Sequence, residues 1–392
     1  MTRVVVTGLG VVSPLGVGVK NFWAGVSAGV CAIRPVTLIE TDGFRCQIGG
    51  EVPDVPSTRP VRTRGDRLAL MAAREALDDA GLDLGARAAA ALIVGAVGGG
   101  MLEAEAWYWS RVRTGQPRNP VPALGSIFPY AHADTLGHRL RIGGPRETVV
   151  AACSSGAAAL ALGAELISDG VTPVALCGGA DALTRICYMG FNALKLLDHE
   201  PCRPFDRDRR GMSIGEGAAF VVLESEAHAR ERGARFYVEL AGHGMTTDAF
   251  HVTSPDPHGD GMVRAMRAAL ANARVEPRAV GYANAHGTAT SQNDRIEARA
   301  LATVFGEGGL LVSSTKSMIG HTMAAAGSLE AVATILAIVQ DTIPPTANHE
   351  TTDPDVPFDC VPKLARDRAV DYAISNSFGF GGQNVTLLFG RR

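Results

Sequence analysis

Three reactive side chains stand at junctions rich in glycine and small polar residues: Cys153, His286 and His321. Cys153 ends an apolar run, residues 148–152, and is followed by Ser-Ser-Gly and an Ala/Leu-rich segment. His286 is followed by Gly-Thr-Ala-Thr, and His321 follows Ser-Met-Ile-Gly. A thiol that can carry an acyl group, with two imidazoles that can handle protons and developing charge, is typical of acyl transfer through a thioester. The sequence therefore predicts a type of reaction as well as a fold.

Cys153 is predicted to lie at the first turn of a helix. The unpaired N–H groups there and the positive end of the helix dipole favour the thiolate, which is the nucleophilic form of cysteine. The small residues 154–156 leave room for a substrate, and a tight strand-to-helix turn projects the side chain as a nucleophile elbow does. The alternative is a buried small residue, and that interpretation is kept for Cys31, Cys46, Cys177, Cys187, Cys202 and Cys360.

Two threonines and a charged pair accompany the histidines. Thr288 and Thr290 alternate along an extended segment, so their hydroxyls lie on one side and can hold the amide groups of a long ligand arm. Lys316, five residues before His321, is close enough in a loop to bond an imidazole or set the charge near it. Glu330 lies in the apolar helix predicted next, where a buried carboxylate needs a partner, and Lys316 is a natural one. The alternative for Glu330 is a solvated helix face.

A glycine-rich segment lies near the carboxyl end, where residues 376–383 have the sequence NSFGFGGQ. Glycines permit unusual backbone angles and a close approach of the backbone to a ligand. Such a loop can direct an N–H at an oxyanion, and a phenylalanine in it can act as a gate. The alternative is a glycine-rich turn between two strands.

The chain shows the same order of segments twice. The matched segments are 4–10 with 238–244, 68–81 with 262–273, 90–95 with 280–284, 148–153 with 310–315, and a closing strand pair, 173–178 and 218–224, with 372–377 and 385–389. Strands that alternate with helices predict α/β layers, built here from two halves, residues 1–235 and 236–392. Residues 98–146 are extra sequence in the first half, which we interpret as a capping or dimerisation insertion. Chance similarity between generic β-α stretches is the alternative.

Composition argues against several other classes of protein. The 392 residues carry a net charge of −3, so no basic field points to nucleic acid. The start of the chain predicts a strand rather than a signal peptide, and the uncharged stretch 148–164 is too short and too polar for a membrane span. Seven cysteines without paired spacing favour a reducing, cytoplasm-like compartment. The sequence has no C-x-x-C or H-E-x-x-H pattern, so no metal site is expected.

Together these motifs resemble the elongating β-ketoacyl-[acyl-carrier-protein] synthases, similar to bacterial synthase II, over essentially the whole chain. The shared motifs are VTGLGVVSPLG, AACSSG, RPFDRDRRG, GEGAAFVVLE, NAHGTAT, NDRIE, STKSMIGH and NSFGFGG. The resemblance implies a thiolase fold, with two βαβαβ-type halves in five αβαβα layers, usually as a homodimer. It also implies decarboxylative condensation of an acyl thioester with malonyl-carrier protein, in fatty-acid or polyketide/polyene elongation, without a metal or redox cofactor.

The resemblance assigns expected roles to the reactive residues. Cys153 matches the acyl-accepting nucleophile. His286 and His321 match the pair that handles malonyl decarboxylation. Lys316 and Glu330 match a charged pair that supports the second histidine.

Other positions match the substrate-holding parts of the family. Thr288 and Thr290 match the threonines that hold the pantetheine arm. Phe380 matches the gating phenylalanine, whose backbone N–H joins that of the nucleophile in an oxyanion hole. Asp294 and Glu297 match an acidic N-D-x-x-E element that is expected to be structural.

Two departures from synthase II bear on the pathway. Gln383 stands where synthase II commonly has threonine, and Gln-Asn-Asp at 292–294 is reminiscent of type II polyketide and polyene synthases. Both favour a specialised elongating synthase of a secondary-metabolite pathway over housekeeping fatty-acid synthesis. The alternative from a different class is a non-catalytic, chain-length-factor-like subunit of a heterodimer, and the presence of Cys153 argues against it.

A carrier protein is strongly acidic, so the resemblance also predicts a basic docking surface. The predicted docking residues are Arg62, Arg64 and Arg67, which cluster before the first predicted helix, and Arg207. Long-range charge speeds docking and is weakened by salt. The alternative for each arginine is an ordinary solvated surface position.

Overall fold

The computed structural model describes residues 2–53, 55–56, 63–115 and 125–392. The strands within these residues are β1 (Val4–Ser13), β2 (Gly16–Val17), β3 (Arg34–Pro35), β4 (Ile48–Gly50), β5 (Ala91–Gly95), β6 (Arg146–Val149), β7 (Val174–Asp181), β8 (Ile214–Gly215), β9 (Gly217–Ser225), β10 (Glu239–Thr247), β11 (Val280–Asn284), β12 (Leu311–Ser313), β13 (Thr342–Ile343), β14 (Arg366–Asp367), β15 (Tyr372–Gly379) and β16 (Gln383–Gly390). The helices are α1 (Val19–Ser27), α2 (Arg64–Asp79), α3 (Leu84–Ala89), α4 (Met101–Thr114), α5 (Ala131–Leu140), α6 (Ser155–Ser168), α7 (Arg185–Ala193), α8 (Glu226–Glu231), α9 (Asp260–Ala273), α10 (Ser291–Phe305), α11 (Lys316–Ile319) and α12 (Ala326–Val339).

One mixed sheet contains the long strands of both halves. Its order is β12-β11-β15-β16-β10-β1-β9-β7-β5-β6, with β2 paired to β1. From the antiparallel β1–β10 contact outward, the first half runs β1, β9, β7, β5, β6 and the second runs β10, β16, β15, β11, β12. The strand directions also correspond, because the outer pairs are parallel and the inner pairs antiparallel in both halves. The predicted duplication of the fold is therefore confirmed.

The strands are buried on both faces, which requires helices on both sides of the sheet. Every residue of β1 and β7 is buried. In the first half α2 packs on β1 and β9, and in the second half α9 packs on β10 and β16. The apolar helices α6 and α12 contact each other and lie between the two halves, α6 against β7 and α12 against β15. The strands of each half form one sheet layer, with α2 outside the first, α9 outside the second, and α6 and α12 between them. This order of helix, sheet, helix, sheet, helix is the five-layered thiolase arrangement that the sequence resemblance predicts.

A glycine at the same place in each half lets an outer helix approach its strand. A Cβ at Gly10 in β1 would collide with the carbonyl oxygen of Ala72 in α2. A Cβ at Gly244 in β10 would collide with the carbonyl oxygen of Ala265 in α9. Because only glycine permits this contact, the packing explains why segments 4–10 and 238–244 resemble each other.

The extra sequence of the first half, residues 98–146, contributes α4 and α5. Helix α5 packs on α2 and β5, so this part of the insertion belongs to the outer layer. Helix α4 carries three exposed large side chains, Tyr108, Trp109 and Val112. Across all the described residues, no helix combines the length and apolar character needed to cross a lipid bilayer.

Candidate active site

The turn that carries Cys153 connects β6 to α6. Residues Ala152–Ser154 form a 3-10 turn in which Ala152 has φ +47°, a left-handed value that is strained for a residue other than glycine. The Ser155 hydroxyl holds the turn, since it accepts the Ala151 N–H at 2.9 Å and donates to the Ala152 carbonyl at 2.6 Å. A strained and pinned turn places the sulfur at a fixed point beside the start of α6.

The environment of Cys153 opposes ionisation. The residue is 7% exposed. Burial raises the pKa of the thiol to about 11, while the Lys316 ammonium and the backbone N–H of Phe380 act in the opposite direction. Burial thus works against the thiolate that we expected at the helix start. The sulfur holds its proton at neutral pH and has to lose it as a substrate reacts.

The glycine-rich tail lies against the cysteine turn. The backbone N–H of Phe380 and that of Cys153 itself both interact with the sulfur. A Cβ at Gly379 would lie only 3.1 Å from the backbone nitrogen of Cys153, so a larger residue there would press on the turn. The Phe380 ring packs on Phe191 with ring centroids 5.7 Å apart. Two backbone donors beside one sulfur are what an oxyanion hole for a thioester needs.

The acidic element of α10, Asp294 and Glu297, holds the loop that follows β11 and contains His286. The Glu297 carboxylate accepts the N–H groups of His286 and Gly287, both at 2.8 Å. Asp294 accepts the N–H of Ala289 at 3.1 Å. Burial raises the pKa of Glu297 to about 7, although the two N–H groups act the other way. These contacts fit the structural role expected for the acidic element.

The two imidazole rings are neighbours and present the same nitrogen as a donor. The ring centroids of His286 and His321 are 5.4 Å apart, and the planes are inclined at 87°. Nδ1 of His321 accepts the Met323 N–H at 3.2 Å, and Nδ1 of His286 lies 3.3 Å from the Lys316 ammonium, a donor. A neutral ring that accepts at Nδ1 carries its proton at Nε2. Nε2 of His321 is buried and has no hydrogen-bond partner among the described residues.

Both rings are held in the neutral form. Burial lowers the pKa of His286 and of His321 well below the usual value, and the Lys316 ammonium lowers both further. Neutral rings with Nε2–H groups can donate to a substrate oxygen without giving up a full charge. The arrangement is therefore suited to stabilising negative charge that develops on a bound thioester.

Lys316 and Glu330 form a buried ion pair behind the two rings. Lys316 is 1% exposed, and its ammonium donates to Glu330 and, at 2.6 Å, to the carbonyl oxygen of His286. Burial raises the pKa of Glu330 to about 7, with Lys316 opposing it. Since Glu330 is also 1% exposed, the alternative of a solvated helix face is wrong.

One cavity unites most of the residues that the sequence singled out. Its lining includes Cys153, His286, His321, Thr288, Thr290 and Phe380. The hydroxyls of Thr288 and Thr290 are 3.0 Å apart, on the same wall. Both halves of the chain contribute, since Cys153 comes from the first half and the histidines from the second. The sulfur, both rings and both hydroxyls can therefore contact one bound molecule.

The predicted docking arginines are placed differently from one another. Arg62 lies outside the described residues. Arg64 does not fit the surface role expected for it, because its guanidinium is largely buried and makes an ion pair with the fully buried Glu216. Arg67 is half-buried. Arg207 is exposed and pairs with Asp208 at 3.0 Å.

Sequence reasoning missed several residues that line the same cavity. An apolar wall is formed by Phe191, Leu196 and Met212, and a polar side includes Asp248 and Asn384, whose side chains are 2.6 Å apart. None of these residues lies in a motif with reactive chemistry. The packing of α7 and the loop after it against Phe380 brings the apolar wall into the site.

Comparison with known proteins agrees with this fold. The fold and the cavity define a thiolase-type enzyme with one cysteine and two histidines. A family profile described as "Beta-ketoacyl synthase, N-terminal domain" matches residues 1–229, and "Beta-ketoacyl synthase, C-terminal domain" matches residues 237–350. The chain belongs to the β-ketoacyl synthase family.

Similar proteins cover almost the whole chain. The 3-oxoacyl-[acyl-carrier-protein] synthase 2 of Synechocystis sp. is 38% identical and aligns with 99% of this chain and 97% of its own length. Nodulation protein E of a Rhizobium sp. is 39% identical, with 99% and 98% covered. A solved structure of the ishigamide ketosynthase/chain length factor superposes with a TM-score of 0.95 at 38% identity, covering 100% and 99%. The solved structure of AntDE:AntF, a type II polyketide acyl-carrier protein in complex with its ketosynthase, superposes with a TM-score of 0.92 at 30% identity, with 100% of both chains covered.

Proposed function

We propose that this protein is a β-ketoacyl-[acyl-carrier-protein] synthase. It transfers an acyl group from a carrier protein to Cys153 and condenses it with malonyl-carrier protein, with loss of carbon dioxide, to give 3-oxoacyl-carrier protein. The observation that carries the proposal is that one cavity holds a buried sulfur and two neutral imidazoles with their protons at Nε2. Membership of the β-ketoacyl synthase family supports the same reaction.

In the first step the Cys153 sulfur attacks the thioester carbonyl of the acyl-carrier protein. The carbon–sulfur bond to the carrier breaks, and the thiol proton leaves Cys153 and ends on the pantetheine sulfur. The N–H groups of Cys153 and Phe380 are placed to stabilise the tetrahedral oxyanion. Since the resting thiol has a raised pKa, this stabilisation and the nearby Lys316 charge have to lower the barrier to attack.

In the second step the carboxylate of malonyl-carrier protein leaves as carbon dioxide, and its electron pair forms the enolate of the acetyl thioester. The Nε2–H groups of His286 and His321 donate to the enolate oxygen. The enolate carbon then attacks the acyl group on Cys153, and the released sulfur takes up a proton. Thr288 and Thr290 hold the pantetheine arm along the cavity wall, where their hydroxyls lie.

The partner implied by this chemistry is an acidic acyl carrier protein, for which Arg207 offers an exposed positive charge. We propose assembly as a homodimer, or as a heterodimer with a chain-length-factor-like subunit. The similarity to a ketosynthase/chain length factor and to a ketosynthase bound to its carrier protein supports these partners. All seven cysteines are free thiols, which supports a reducing, cytoplasmic location.

We also propose the division of the chain into functional halves at residue 235. Residues 1–235 supply the nucleophile and carry the 98–146 insertion as a cap or dimer surface, and residues 236–392 supply both histidines. The matched strand orders of the two halves support this division.

The non-catalytic alternative, a chain-length-factor-like subunit, requires a site that cannot load an acyl group. The sulfur in the cavity speaks against it. Gln383 and residues 292–294 favour a polyketide or polyene pathway over housekeeping fatty-acid synthesis, while the similar proteins include both 3-oxoacyl-[acyl-carrier-protein] synthases 2 and a ketosynthase of a type II polyketide complex.

Intact-mass analysis tests the proposal. The protein is incubated with a panel of acyl-carrier proteins that differ in chain length and unsaturation, and the mass added to the enzyme identifies the preferred acyl group. Addition of malonyl-carrier protein should then discharge that mass and yield 3-oxoacyl-carrier protein. If no member of the panel adds mass to the protein, alone or with a chain-length-factor-like partner, the proposed activity is wrong.

A further inference from the structure

The carboxylate of Asp181 joins two distant segments beside the candidate active site. Asp181 ends β7 and is 1% exposed. Its Oδ1 accepts the backbone N–H groups of Val97 at 3.2 Å and Gly98 at 2.7 Å, where the 98–146 insertion begins. Its Oδ2 accepts the N–H of Ala324 at 2.9 Å. Ala324 belongs to the 3-10 turn Met323–Ala325, which follows His321.

That turn supplies the hydrogen bond to the His321 ring. The N–H that donates to Nδ1 of His321 belongs to Met323, the residue before the one that Asp181 binds. Met323 has φ +55°, a left-handed conformation that a residue other than glycine keeps only when its surroundings impose it. The backbone of His321 is fixed separately, because its N–H donates to Ser213 at 2.7 Å and its carbonyl accepts from Gly215 at 2.9 Å. Those bonds hold the main chain but not the ring.

We propose that Asp181 is a positioning residue for His321. By holding the Met323–Ala325 turn, it keeps the Met323 N–H on Nδ1 and so keeps the ring proton on Nε2, facing the cavity. The inference rests on the proposed function of His321 as a donor to the enolate oxygen. It also links the placement of His321 to the insertion, since the same carboxylate binds the first residues of that segment.

A matched control is available elsewhere in the chain. Asp206 is also fully buried and also accepts three backbone N–H groups, from Asp208 at 2.8 Å, Glu350 at 2.6 Å and Thr351 at 2.9 Å. None of these residues belongs to the His321 turn. Loss of the Asp206 carboxylate should therefore reproduce the general cost of unpaired N–H groups without changing the His321 ring.

The experiment compares Asp181→Ala with Asp206→Ala in two separate assays, acyl transfer from acyl-carrier protein and carbon dioxide release from malonyl-carrier protein. In Asp181→Ala we expect carbon dioxide release to fall at least about tenfold relative to acyl transfer, because a misplaced donor loses rate steeply. In Asp206→Ala the two rates should change in proportion. Spectra of ¹⁵N-labelled histidine rings should show a single Nε2–H tautomer for His321 in the wild type and mixed tautomers in Asp181→Ala.

A milder variant covers the case in which Asp181→Ala does not fold. A Cβ at Gly98 would lie 3.2 Å from Oδ1 of Asp181, so Gly98→Ala displaces the carboxylate without removing it. Carbon dioxide release should again fall more than acyl transfer. An unchanged ratio of the two rates in Gly98→Ala, or in a folded Asp181→Ala, overturns the inference. Failure of the wild-type protein to perform either reaction would instead count against the proposed function.

Discussion

The junctions at Cys153 and His321 occupy equivalent places in the two halves of the fold. Each follows an outer strand, β6 or β12, and each precedes a buried central helix, α6 or α12. The first junction is short, since one 3-10 turn leads from the strand region into α6. The second is longer, because α11 and a further 3-10 turn intervene before α12. The extra length gives the second half room for Lys316, His321 and the turn that holds the ring.

Burial acts on both junctions and favours the neutral form of each reactive group. It raises the pKa of Cys153 and lowers the pKa of His286 and His321. In the proposed mechanism the first half supplies the sulfur that takes up the acyl group, and the second half supplies two fixed donors. The Lys316–Glu330 ion pair behind the rings is the buried charged element of the second half. Duplication of one fold has therefore produced two complementary sites rather than two copies of one site.

Removing the sulfur is expected to have the largest effect and to separate the roles of the two junctions. Cys153→Ala should abolish acyl transfer and condensation, with a loss of more than about a thousandfold, as expected when a covalent nucleophile is deleted. Carbon dioxide release from malonyl-carrier protein should persist, because the two imidazoles remain. The measurement is intact mass after incubation with acyl-carrier protein, and Cys31→Ala, a cysteine outside the cavity lining, is the control. An acylated Cys153→Ala protein would reject the nucleophile assignment.

Removing a ring should produce the opposite pattern. His321→Ala and His286→Ala should each lower carbon dioxide release by about 100-fold, the usual effect of losing one donor to a developing oxyanion. Acyl transfer to Cys153 should fall much less. Both half-reactions are measured on the same preparation. If acyl transfer and carbon dioxide release fall equally in both variants, the division of labour between the junctions is wrong.

A feature of the site could be predicted from the sequence when the residues that form it lie close together in the chain. The sulfur, both rings and the Thr288–Thr290 wall were predictable because each lies in a short segment whose residue types already suggest chemistry. The site of Arg64 was not, because its guanidinium contacts Glu216, 152 positions away in the chain. The Asp181 contacts were hidden for the same reason, since Val97 and Ala324 both reach the Asp181 carboxylate only in the folded chain.

The raised pKa of Cys153 shows a second limit. The helix start and its dipole can be inferred from local sequence, and both favour a thiolate. The desolvation that opposes them depends on how closely the tail at Phe380 and the second half cover the sulfur. Burial is a property of the whole fold, and in this site it outweighs the local effect.

Replacing Lys316 tests its effect on the two rings through the pH dependence of carbon dioxide release. In Lys316→Met the pKa values of His286 and His321 should rise, because the ammonium that lowers them is gone. Protonated rings then form at a higher pH than in the wild type, although burial, the larger cause, still holds both pKa values below the ordinary histidine value of about 6.5. Carbon dioxide release should therefore fall as the pH decreases toward the acidic end of the stable range. The wild-type rate should stay level over the same range. A flat profile in Lys316→Met would contradict this role of the ammonium.

The same variant should be less stable, by about 3 kcal/mol, because Glu330 stays buried without its partner and has either to keep a lone charge or to protonate. Lys316→Met combined with Glu330→Leu removes that unpaired polar group. The double variant should regain stability in denaturant unfolding while keeping the altered pH profile. If the double variant regains stability but keeps the altered pH profile of carbon dioxide release, the effect of Lys316 on the rings is separate from its effect on folding.

The smallest expected effect concerns the surface on which the carrier protein lands. Arg207→Glu should raise the KM for acyl-carrier protein by about two- to threefold at low salt, since an exposed charge acts mainly on the rate of encounter and is screened by solvent. Arg230→Glu is the matched control, because Arg230 is similarly exposed and also ion-paired, but lies on α8, outside the predicted docking residues. The difference between the two variants should disappear in about 0.5 M salt, where charges several ångströms apart are screened. Equal KM values at low salt would remove Arg207 from the docking surface. That result would not affect the roles proposed for Cys153 and the two histidines, because neither role depends on how the carrier protein binds.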